Sequence, residues 1–367
     1  MKICFILPAI YPLVTGGAEI FNYYLINKLS ETQKVSYIGL DDLHNPQINF
    51  FKLIRIKPTK FFFPLQILLK IIRYRKNFDI IHVSFMRGHF FHWLIYPILN
   101  LIWEIKYFIT IHDGNTSISK PKWIYYSLFK RAHNIVCVSK NMKEKYSKIT
   151  QRQTIYIPPL IPFTTCDLSV SFLKDKYHLP ESSKIFIYVG SLKPLKNPKT
   201  ILDGFLRITN ELIKYNSFVV IAGGGELEEK LIELVKENRM EDRIRIIGKV
   251  NYEQICEIYK IANFYIISSF YEGTSISLLE AMSNSLPIIA ANSPGITDIL
   301  IDNYNCLLFN PNSSEDLSNK VIKLLKDPQF CVKISKNVHH DFVNKFSYSN
   351  MIQDYLNLFY SSIYHNN

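Results

Sequence analysis

The chain has 367 residues, of which 48% are hydrophobic and 20% are charged. This composition excludes a disordered chain, and the length exceeds what one ordinary hydrophobic core accommodates, so two domains are expected. The formal net charge of +12 is unevenly placed: residues 1–180 carry 24 Lys and Arg against 10 Asp and Glu, whereas residues 181–367 carry 19 against 21. A basic first half beside a nearly neutral second half indicates that only the first half meets an anionic surface.

The six cysteines are scattered and form no C-x-x-C pair, so the sequence suggests neither a zinc site nor a redox motif. Buried thiols in a reducing compartment are expected instead. The first residues read as a strand that enters a loop, and not as a secretory signal. The longest apolar stretch, from Phe90 to Trp103, is shorter than the roughly 20 residues that span a bilayer. We therefore predict a buried helix there, with a re-entrant segment as the alternative.

Strands and helices alternate along the first half. The predicted strands are short, apolar on both faces and rich in β-branched and aromatic residues, as is typical of parallel strands covered by helices. They lie at residues 2–7, 34–40, 51–56, 79–85, 107–113 and 134–139. Residues 156–167 contain three prolines and interrupt the alternation, which predicts a linker.

A second set of strands follows the linker. The segments with strand character are 184–190, 217–225, 243–250, 263–269, 286–291 and 306–309, and amphipathic helices are predicted at 226–240 and 313–327. The pattern predicts two doubly wound α/β domains, at residues 1–162 and 163–345. Since ligands of such sheets bind beyond the carboxyl ends of the strands, we expect a site in a cleft between the domains.

Several candidate residues follow predicted strands. Gly16 and Gly17 follow the first strand and open a helix, where backbone N–H groups can approach a phosphate; a plain strand-to-helix turn is the alternative. His112 ends a strand and could hydrogen-bond a sugar hydroxyl. The alternative is that His112 caps local backbone while Asp113 and Asn115 make the turn.

Two further loops carry charge or glycine. Lys193 and Lys196 follow Gly190 and could neutralise a diphosphate, although lysine pairs are also common on solvated loops. Residues Gly223 to Glu226 follow the next strand, where either a ligand or another loop could approach the backbone.

Glu272 and Glu280 enclose a small flexible segment after a later strand. If a helix begins near Thr274 or Ser275, Glu272 precedes it and Glu280 faces the same side from its second turn. The alternative is a capping box in which Ser277 and Glu280 only tie off the helix start.

Taken together, these segments resemble the family 4 glycosyltransferases, a large group of retaining enzymes with the GT-B fold. The resemblance covers nearly the whole chain. Its specific part is VGSLKPLKN, then IAGGGELEEKL, then the run from Gly248 to Leu300 that holds the E-x7-E element. It implies two Rossmann-like domains facing a central cleft, with a C-terminal helix at residues 346–367 that crosses back to the first domain.

The resemblance also implies roles for individual residues. Glu272 would hold hydroxyls of the transferred sugar, Lys196 would bind the donor diphosphate, and His112 would lie on the sugar side; these three are the candidate catalytic residues. Glu280 would bind the ribose, and Val250 would contact the base. The other candidate donor-binding positions are Gly16, Gly17, Gly190, Ser191, Gly224, Gly273, Thr274, Ser275 and Ile276.

The chain departs from the family pattern at Ser191, where arginine is frequent; Lys193 is a candidate for the missing charge. Asn197, where glycine is common, is a milder departure. The implied reaction moves a sugar from a nucleotide diphosphate to a hydroxyl with retention of configuration. No metal or other cofactor is expected, and the donor is a substrate.

The implied acceptor is a glycan or a lipid-linked glycan of bacterial surface polysaccharide synthesis. Residues 57–76 combine six Lys and Arg with bulky apolar side chains, which favours a cytoplasmic protein in contact with the anionic inner face of the cell membrane. An ordinary amphipathic helix on the sheet is the alternative.

Competing functions are another GT-B activity, such as a nucleotide-sugar epimerase or a phosphorolytic enzyme, a basic nucleic-acid-binding protein and an inactive scaffold. Nucleic acid is not expected as a partner, because the basic residues do not form a recognised binding module.

Overall fold

The computed structural model describes residues 1–7, 17–39, 47–52, 59–85, 95–112, 122–159, 166–346 and 348–364. The chain divides into two compact units, Met1–Pro162 with Phe346–Asn367, and Phe163–Lys345. Both are doubly wound α/β units, and all strand pairs found in the described residues are parallel. Among the same residues, no helix is both long enough and apolar enough to cross a lipid bilayer.

In its described residues, the first unit has one seven-stranded sheet with the strand order β3-β2-β1-β4-β5-β6-β7. Its strands are β1 (Lys2–Ile6), β2 (Lys34–Gly39), β3 (Ile48–Lys52), β4 (Ile80–Phe85), β5 (Lys106–Ile111), β6 (Asn134–Cys137) and β7 (Ile155–Tyr156). Its helices are α1 (Gly17–Ser30), α2 (Thr59–Tyr74), α3 (Ile95–Trp103), α4 (Lys122–Arg131), α5 (Lys140–Thr150) and, at the end of the chain, α14 (Tyr348–Tyr364).

Both faces of this sheet are covered, which is why its strands are apolar on both sides. On one face, α2, α3, α4 and α5 contribute to one hydrophobic cluster. On the other face, α1 and the C-terminal helix α14 pack together through buried side chains such as Phe21, Leu25, Tyr355 and Phe359. The last helix therefore belongs to the first unit.

The second unit has a six-stranded sheet with the order β10-β9-β8-β11-β12-β13. Its strands are β8 (Lys184–Val189), β9 (Ser217–Ala222), β10 (Ile244–Gly248), β11 (Phe264–Ile267), β12 (Ile288–Ala291) and β13 (Leu307–Phe309). Its helices are α6 (Val170–Lys176), α7 (Pro198–Leu206), α8 (Thr209–Lys214), α9 (Glu228–Glu237), α10 (Tyr252–Ile261), α11 (Ile276–Ser283), α12 (Ser314–Lys326) and α13 (Pro328–Lys345).

Three sequence predictions in the first unit need correction. The third strand begins at Ile48, before the predicted segment 51–56, of which 53–56 lie outside the described residues. The short strand β7 begins just ahead of the predicted linker and ends at its first residue, Tyr156. Residues 90–94 of the predicted buried helix lie outside the described residues. The described part, α3, is only half buried, because it covers the sheet with one face and leaves the other in solvent.

Candidate active site at the edge of the second sheet

The order of the second sheet creates a switch point between β8 and β11. From β8 the chain proceeds outward through β9 and β10, and then returns to the opposite side of β8 to form β11. Because the strands are parallel, the loops after all of them emerge at one edge. Loops that leave adjacent strands on opposite sides open a crevice at that edge, which is the usual ligand position in such sheets.

A lysine and a glutamate meet at this switch point. Lys196 ends a short 3-10 turn after β8, and Glu272 lies in the loop after β11. The Lys196 Nζ atom lies 2.6 Å from both carboxylate oxygens of Glu272. The Glu272 side chain is only 7% exposed and that of Lys196 is 29% exposed, so the ion pair is shielded from water on the glutamate side.

Small polar residues fix the pair in place. The hydroxyl of Ser269 donates to the Oε1 atom of Glu272 at 2.6 Å, and the hydroxyl of Ser268 donates to the carbonyl oxygen of Lys196 at 2.8 Å. Sequence reasoning missed both serines. The available signal was two polar residues directly after the apolar strand FYII, at the end of the strand where ligands bind.

The loop after β12 supports Glu272 from a third side. The backbone N–H of Glu272 donates to the carbonyl oxygen of Pro294 at 3.1 Å, and Ser293 donates to the carbonyl oxygen of Ser269 at 2.7 Å. Gly295 has φ +85°, and a Cβ atom there would lie 2.0 Å from the carbonyl oxygen of Glu272. This close approach holds the glutamate backbone in one position.

Helix α11 begins where the functional interpretation of the E-x7-E element requires. Ser275 is its N-cap and accepts a hydrogen bond from the backbone N–H of Leu278, so the helix starts at Ile276. The capping-box alternative built on Ser277 and Glu280 is therefore wrong. Gly273 and Thr274 lie in the loop that joins Glu272 to the helix, so the positive end of the helix dipole follows the ion pair directly.

Glu280 is buried inside α11, with 5% of its surface exposed. Burial raises the pKa of its carboxyl from the ordinary 4.5 to about 8, and hydrogen bonding with Tyr259 offsets part of this increase. The Tyr259 hydroxyl donates its proton to the carbonyl oxygen of Ser277 at 2.7 Å. At neutral pH the carboxyl is thus mainly protonated and can both donate and accept hydrogen bonds.

The raised pKa of Glu280 makes stability depend on pH. Since the unfolded glutamate ionises near its ordinary pKa and the folded one only near pH 8, the free energy of unfolding falls as pH rises between these two values. We expect Glu280→Gln to reduce this decrease in the free energy of unfolding by up to about 1.4 kcal/mol per pH unit. At pH about 8 the variant should therefore be more stable than the wild type. Urea unfolding of both proteins across this range measures the difference.

The exposed Glu237 at the end of α9 provides the matched control for that experiment. Glu237→Gln also removes one carboxyl group, but an exposed one. Its free energy of unfolding plotted against pH should therefore run parallel to that of the wild type. Parallel curves for Glu280→Gln and the wild type would contradict the pKa assignment.

The glycines after β9 lie against the backbone of the loop after β8. A Cβ atom on Gly223, whose φ is +148°, would lie 1.8 Å from the carbonyl oxygen of Gly190, and one on Gly225 would lie 2.5 Å from that of Leu192. At Gly224 the nearest atom would be a carboxylate oxygen of Glu228, at 3.3 Å. Tight backbone approach therefore accounts for Gly223 and Gly225, and Gly224 remains a candidate for ligand contact.

Ser191 stands at the position where the resembled family often has an arginine, and two lysines follow it in the same loop. Ser191 accepts a hydrogen bond from the Tyr188 hydroxyl through its carbonyl oxygen, at 3.1 Å. Lys193 is exposed and forms no ion pair with the described residues, whereas Lys196 is paired with Glu272. Lys193 is thus the cation of this loop that is available to a ligand without breaking a bridge.

Two further positions have backbone explanations. Asn197 has φ +52°, a left-handed conformation that glycine and asparagine adopt most readily, which explains why asparagine can replace the family's glycine. Gly248, just before the loop with Val250, has φ +69°. Val250 is half-buried and stands immediately ahead of the capping box that starts α10.

The first unit has candidate residues of its own. His112 directly follows β5, its ring lies 4.9 Å from that of Phe21, and burial lowers its pKa to about 3. Its Nε2 atom is buried without a hydrogen-bond partner among the described residues. A neutral imidazole with an unused ring nitrogen suits a hydrogen bond to a hydroxyl. Behind it, His82 bonds to Thr110, which in turn bonds to Tyr355.

Gly17 is the first residue of α1 and is exposed. Gly16, Asp113 and Asn115 lie outside the described residues. Within the described part of the chain, no group of three or more His, Cys, Asp or Glu side chains is placed to hold a metal ion.

Two family models match adjoining parts of the chain. The model described as Glycosyltransferase Family 4 matches residues 15–162, and the model described as Glycosyl transferases group 1 matches residues 169–341. The two matched ranges fall on the two structural units, and the second contains Lys196, Glu272 and Glu280.

Proteins with similar sequences carry related descriptions. An uncharacterized glycosyltransferase of Methanocaldococcus jannaschii is 22% identical over 359 residues, covering 95% of either chain. The N-acetyl-alpha-D-glucosaminyl L-malate synthase of Bacillus anthracis is 22% identical over 305 residues, covering 78% of this chain and 75% of its own length.

Solved structures share the fold. HepE of Anabaena, crystallised with UDP and glucose, has a TM-score of 0.80 at 16% identity, covering 98% of this chain and 100% of its own. A glycosyltransferase of Rickettsia africae has a TM-score of 0.81 at 18% identity, covering 100% and 99%. These similarities confirm the predicted GT-B fold class with two Rossmann-like domains.

Proposed function

The chain belongs to the family 4 and group 1 glycosyltransferases, and from this premise we propose that it transfers a sugar from a nucleotide-diphosphate sugar to a hydroxyl group with retention of anomeric configuration. The observation that carries the proposal is the shielded Lys196–Glu272 ion pair at the switch point of the second sheet. It places an ammonium that can bind a diphosphate next to a carboxylate that can accept hydrogen bonds from sugar hydroxyls.

In this proposal, the donor replaces each partner of the ion pair with one of its own groups. The diphosphate takes the ammonium of Lys196, and sugar hydroxyls donate to the carboxylate of Glu272, which Ser269 already holds in position. The two charges neutralise each other until the donor arrives, so neither is left buried and unpaired.

The bond between the anomeric carbon and the diphosphate oxygen breaks, and a bond to the acceptor oxygen forms on the same face of the sugar. The acceptor's proton moves to the departing diphosphate, which needs no separate base. Negative charge grows on the diphosphate, and Lys196 with the backbone N–H groups at the start of α11 stabilises it. The proposal includes no metal ion or other cofactor.

The remaining residues keep the roles that the family resemblance implies. Glu280, neutral at pH 7, exchanges hydrogen bonds with the ribose, and Val250 contacts the base. The neutral ring of His112 bonds a substrate hydroxyl through its unused nitrogen. Gly17 stands at the start of α1, where N–H groups favour the diphosphate.

Descriptions of related proteins support this chemistry. UDP and glucose are named for the Anabaena protein, and synthesis of an N-acetylglucosaminyl malate is named for the Bacillus enzyme. Another relative, from Escherichia coli, is described as transferring galactose to a diphosphoundecaprenol-linked sugar and is 28% identical over 177 residues. A glycan or lipid-linked acceptor of bacterial surface polysaccharide synthesis, met at the inner face of the membrane, completes the proposal.

A panel of nucleotide sugars tests the donor assignment. A ligand at about 100 times its dissociation constant adds about 2.7 kcal/mol to the free energy of unfolding, which a thermal-shift measurement detects. We expect at least one UDP-, GDP- or ADP-sugar to stabilise the protein and inorganic diphosphate to do so far less. The stabilising donor is then used to follow transfer to a panel of acceptors.

The outcome separates the proposal from its rivals. Transfer with retention of configuration supports it. Release or epimerisation of the sugar without any acceptor would favour another GT-B activity, and stabilisation by none of the nucleotide sugars would overturn the proposal.

A further inference from the structure

Helix α2 presents an exposed aliphatic stripe on the side opposite the sheet. Leu65, Leu69 and Ile72 are spaced by four and three residues, so they project from one side of the helix. They are between 40% and 56% exposed, whereas Ile67 and Ile71 on the inner side are buried in the core.

Helix α3 carries a second stripe of the same kind. Ile98, Leu101 and Ile102 are between 49% and 65% exposed, and the inner positions Ile95 and Leu99 are buried. A helix of a water-soluble domain normally turns polar residues outward, so an outward face of three large aliphatic side chains requires an explanation.

The two helices are neighbours. Both contribute buried side chains to the cluster on one face of the first sheet. At their carboxyl ends, the guanidinium of Arg75 lies over the ring of Trp103, 5.6 Å from its centroid. The two stripes, with Lys70, Arg73, Arg75 and Lys76, are named here the α2–α3 surface.

The charge of the α2–α3 surface has a single sign. Arg73, Arg75 and Lys76 are exposed, and residues 59–77 and 95–103 contain no Asp or Glu. The partner must therefore tolerate aliphatic side chains and supply negative charge. A nucleic acid offers the charge without an aliphatic phase, and an anionic lipid bilayer offers both.

We propose that the α2–α3 surface docks on an anionic lipid bilayer. The six aliphatic side chains enter the boundary between headgroups and acyl chains, and the basic residues contact the lipid phosphates. This inference deepens the membrane contact included in the proposed function, and it does not depend on sugar transfer. It assigns half of the contact to α3, which carries no charge and which the sequence predicted to be buried.

Flotation with vesicles tests the proposal on the full-length protein without nucleotide or sugar. We expect binding to vesicles of equal parts phosphatidylglycerol and phosphatidylcholine, and much weaker binding to phosphatidylcholine alone. The triple variant Ile98→Gln, Leu101→Gln, Ile102→Gln should reduce the affinity about tenfold or more, because it removes the inserted apolar area. Since these side chains are exposed, the variant should keep the thermal midpoint of the wild type.

A second triple variant tests the electrostatic part. Arg73→Gln, Arg75→Gln, Lys76→Gln should reduce the affinity about 100-fold and remove most of its salt dependence. The matched control for the first variant is Ile213→Gln, Ile301→Gln, Val332→Gln, which removes exposed aliphatic side chains from the second unit. The matched control for the second variant removes three exposed lysines from the second unit, by Lys230→Gln, Lys333→Gln, Lys336→Gln. Both controls should bind the vesicles as the wild type does.

Tryptophan fluorescence locates the contact independently. The three tryptophans of the chain, Trp93, Trp103 and Trp123, all belong to the first unit, and Trp103 ends α3 beside the exposed Ile102. Brominated lipids in the anionic vesicles should therefore quench the emission. Glu272→Ala should float and be quenched as the wild type is, so failure of the sugar-transfer proposal leaves this test unaffected.

Three results would overturn the proposal. The first is no binding to the anionic vesicles. The second is binding that the α3 variant does not weaken, or that leaves the tryptophans unquenched, since the contact would then lie elsewhere. The third is a wild-type dimer in solution that the α3 variant converts to a monomer, since a second copy of the chain would then cover the surface.

Discussion

Replacement of Lys196 by alanine is expected to lower the rate of glycosyl transfer by about 10²–10³-fold, the usual effect of removing one group that stabilises developing negative charge. The ammonium lies 2.6 Å from both oxygens of Glu272. Its loss therefore has two consequences. The departing diphosphate loses a cation, and the unneutralised carboxylate of Glu272 repels the same diphosphate. Single-turnover transfer measured at saturating donor gives the effect on the chemical step.

The neighbouring Lys193 provides the matched control. It is exposed and has no ion pair among the described residues. If the Lys193 ammonium contacts only the phosphate farther from the transferred sugar, Lys193→Ala should lower the rate much less than Lys196→Ala does. An equal loss in both variants would mean that Lys193 replaces the family's arginine at Ser191. Unchanged transfer in Lys196→Ala would contradict the proposed role of the ion pair.

A folding defect must be separated from a catalytic one, because Lys196→Ala leaves the buried carboxylate of Glu272 without its cation. Lys196→Gln retains an N–H donor for that carboxylate while it removes the positive charge. We expect this variant to unfold at nearly the wild-type temperature and still to transfer sugar slowly.

Gly223→Ala is expected to destabilise the second unit by about 3 kcal/mol or more. The new Cβ atom would lie 1.8 Å from the carbonyl oxygen of Gly190, and φ +148° is unfavourable for any residue with a side chain. For a unit of this size the thermal midpoint should fall by about 6–12 °C. Calorimetry of the full-length protein measures both quantities.

The adjacent Gly224 offers a control that differs by one position. The nearest atoms to a Cβ atom there would be a carboxylate oxygen of Glu228, at 3.3 Å, and the Cβ atom of Lys249, at 3.4 Å, so Gly224→Ala should fold as the wild type does. If Gly224 contacts the donor, this variant binds the nucleotide sugar more weakly while its thermal midpoint stays unchanged. Equal midpoints for Gly223→Ala and the wild type would contradict the backbone explanation.

The alternation of strands and helices was readable from the sequence because each strand is buried on both faces and therefore continuously apolar. The strand β8, with the sequence KIFIYV, is an example. The same logic failed at β7, since a two-residue strand is too short for any periodic pattern. It also failed for α3, where a continuous apolar run gave no indication that one face of the helix stays exposed.

The sequence alone determined the family, the two α/β units and the identity of the charged and glycine residues that follow the strands, since these depend on local composition and order along the chain. Only the tertiary structure decided which of those residues meet. Lys196 and Glu272 are far apart in sequence, and they pair because β8 and β11 are neighbours in the sheet. The roles of Ser268, Ser269 and Gly295, and the buried, protonated state of Glu280, likewise depend on contacts between loops of different strands, which no local pattern encodes.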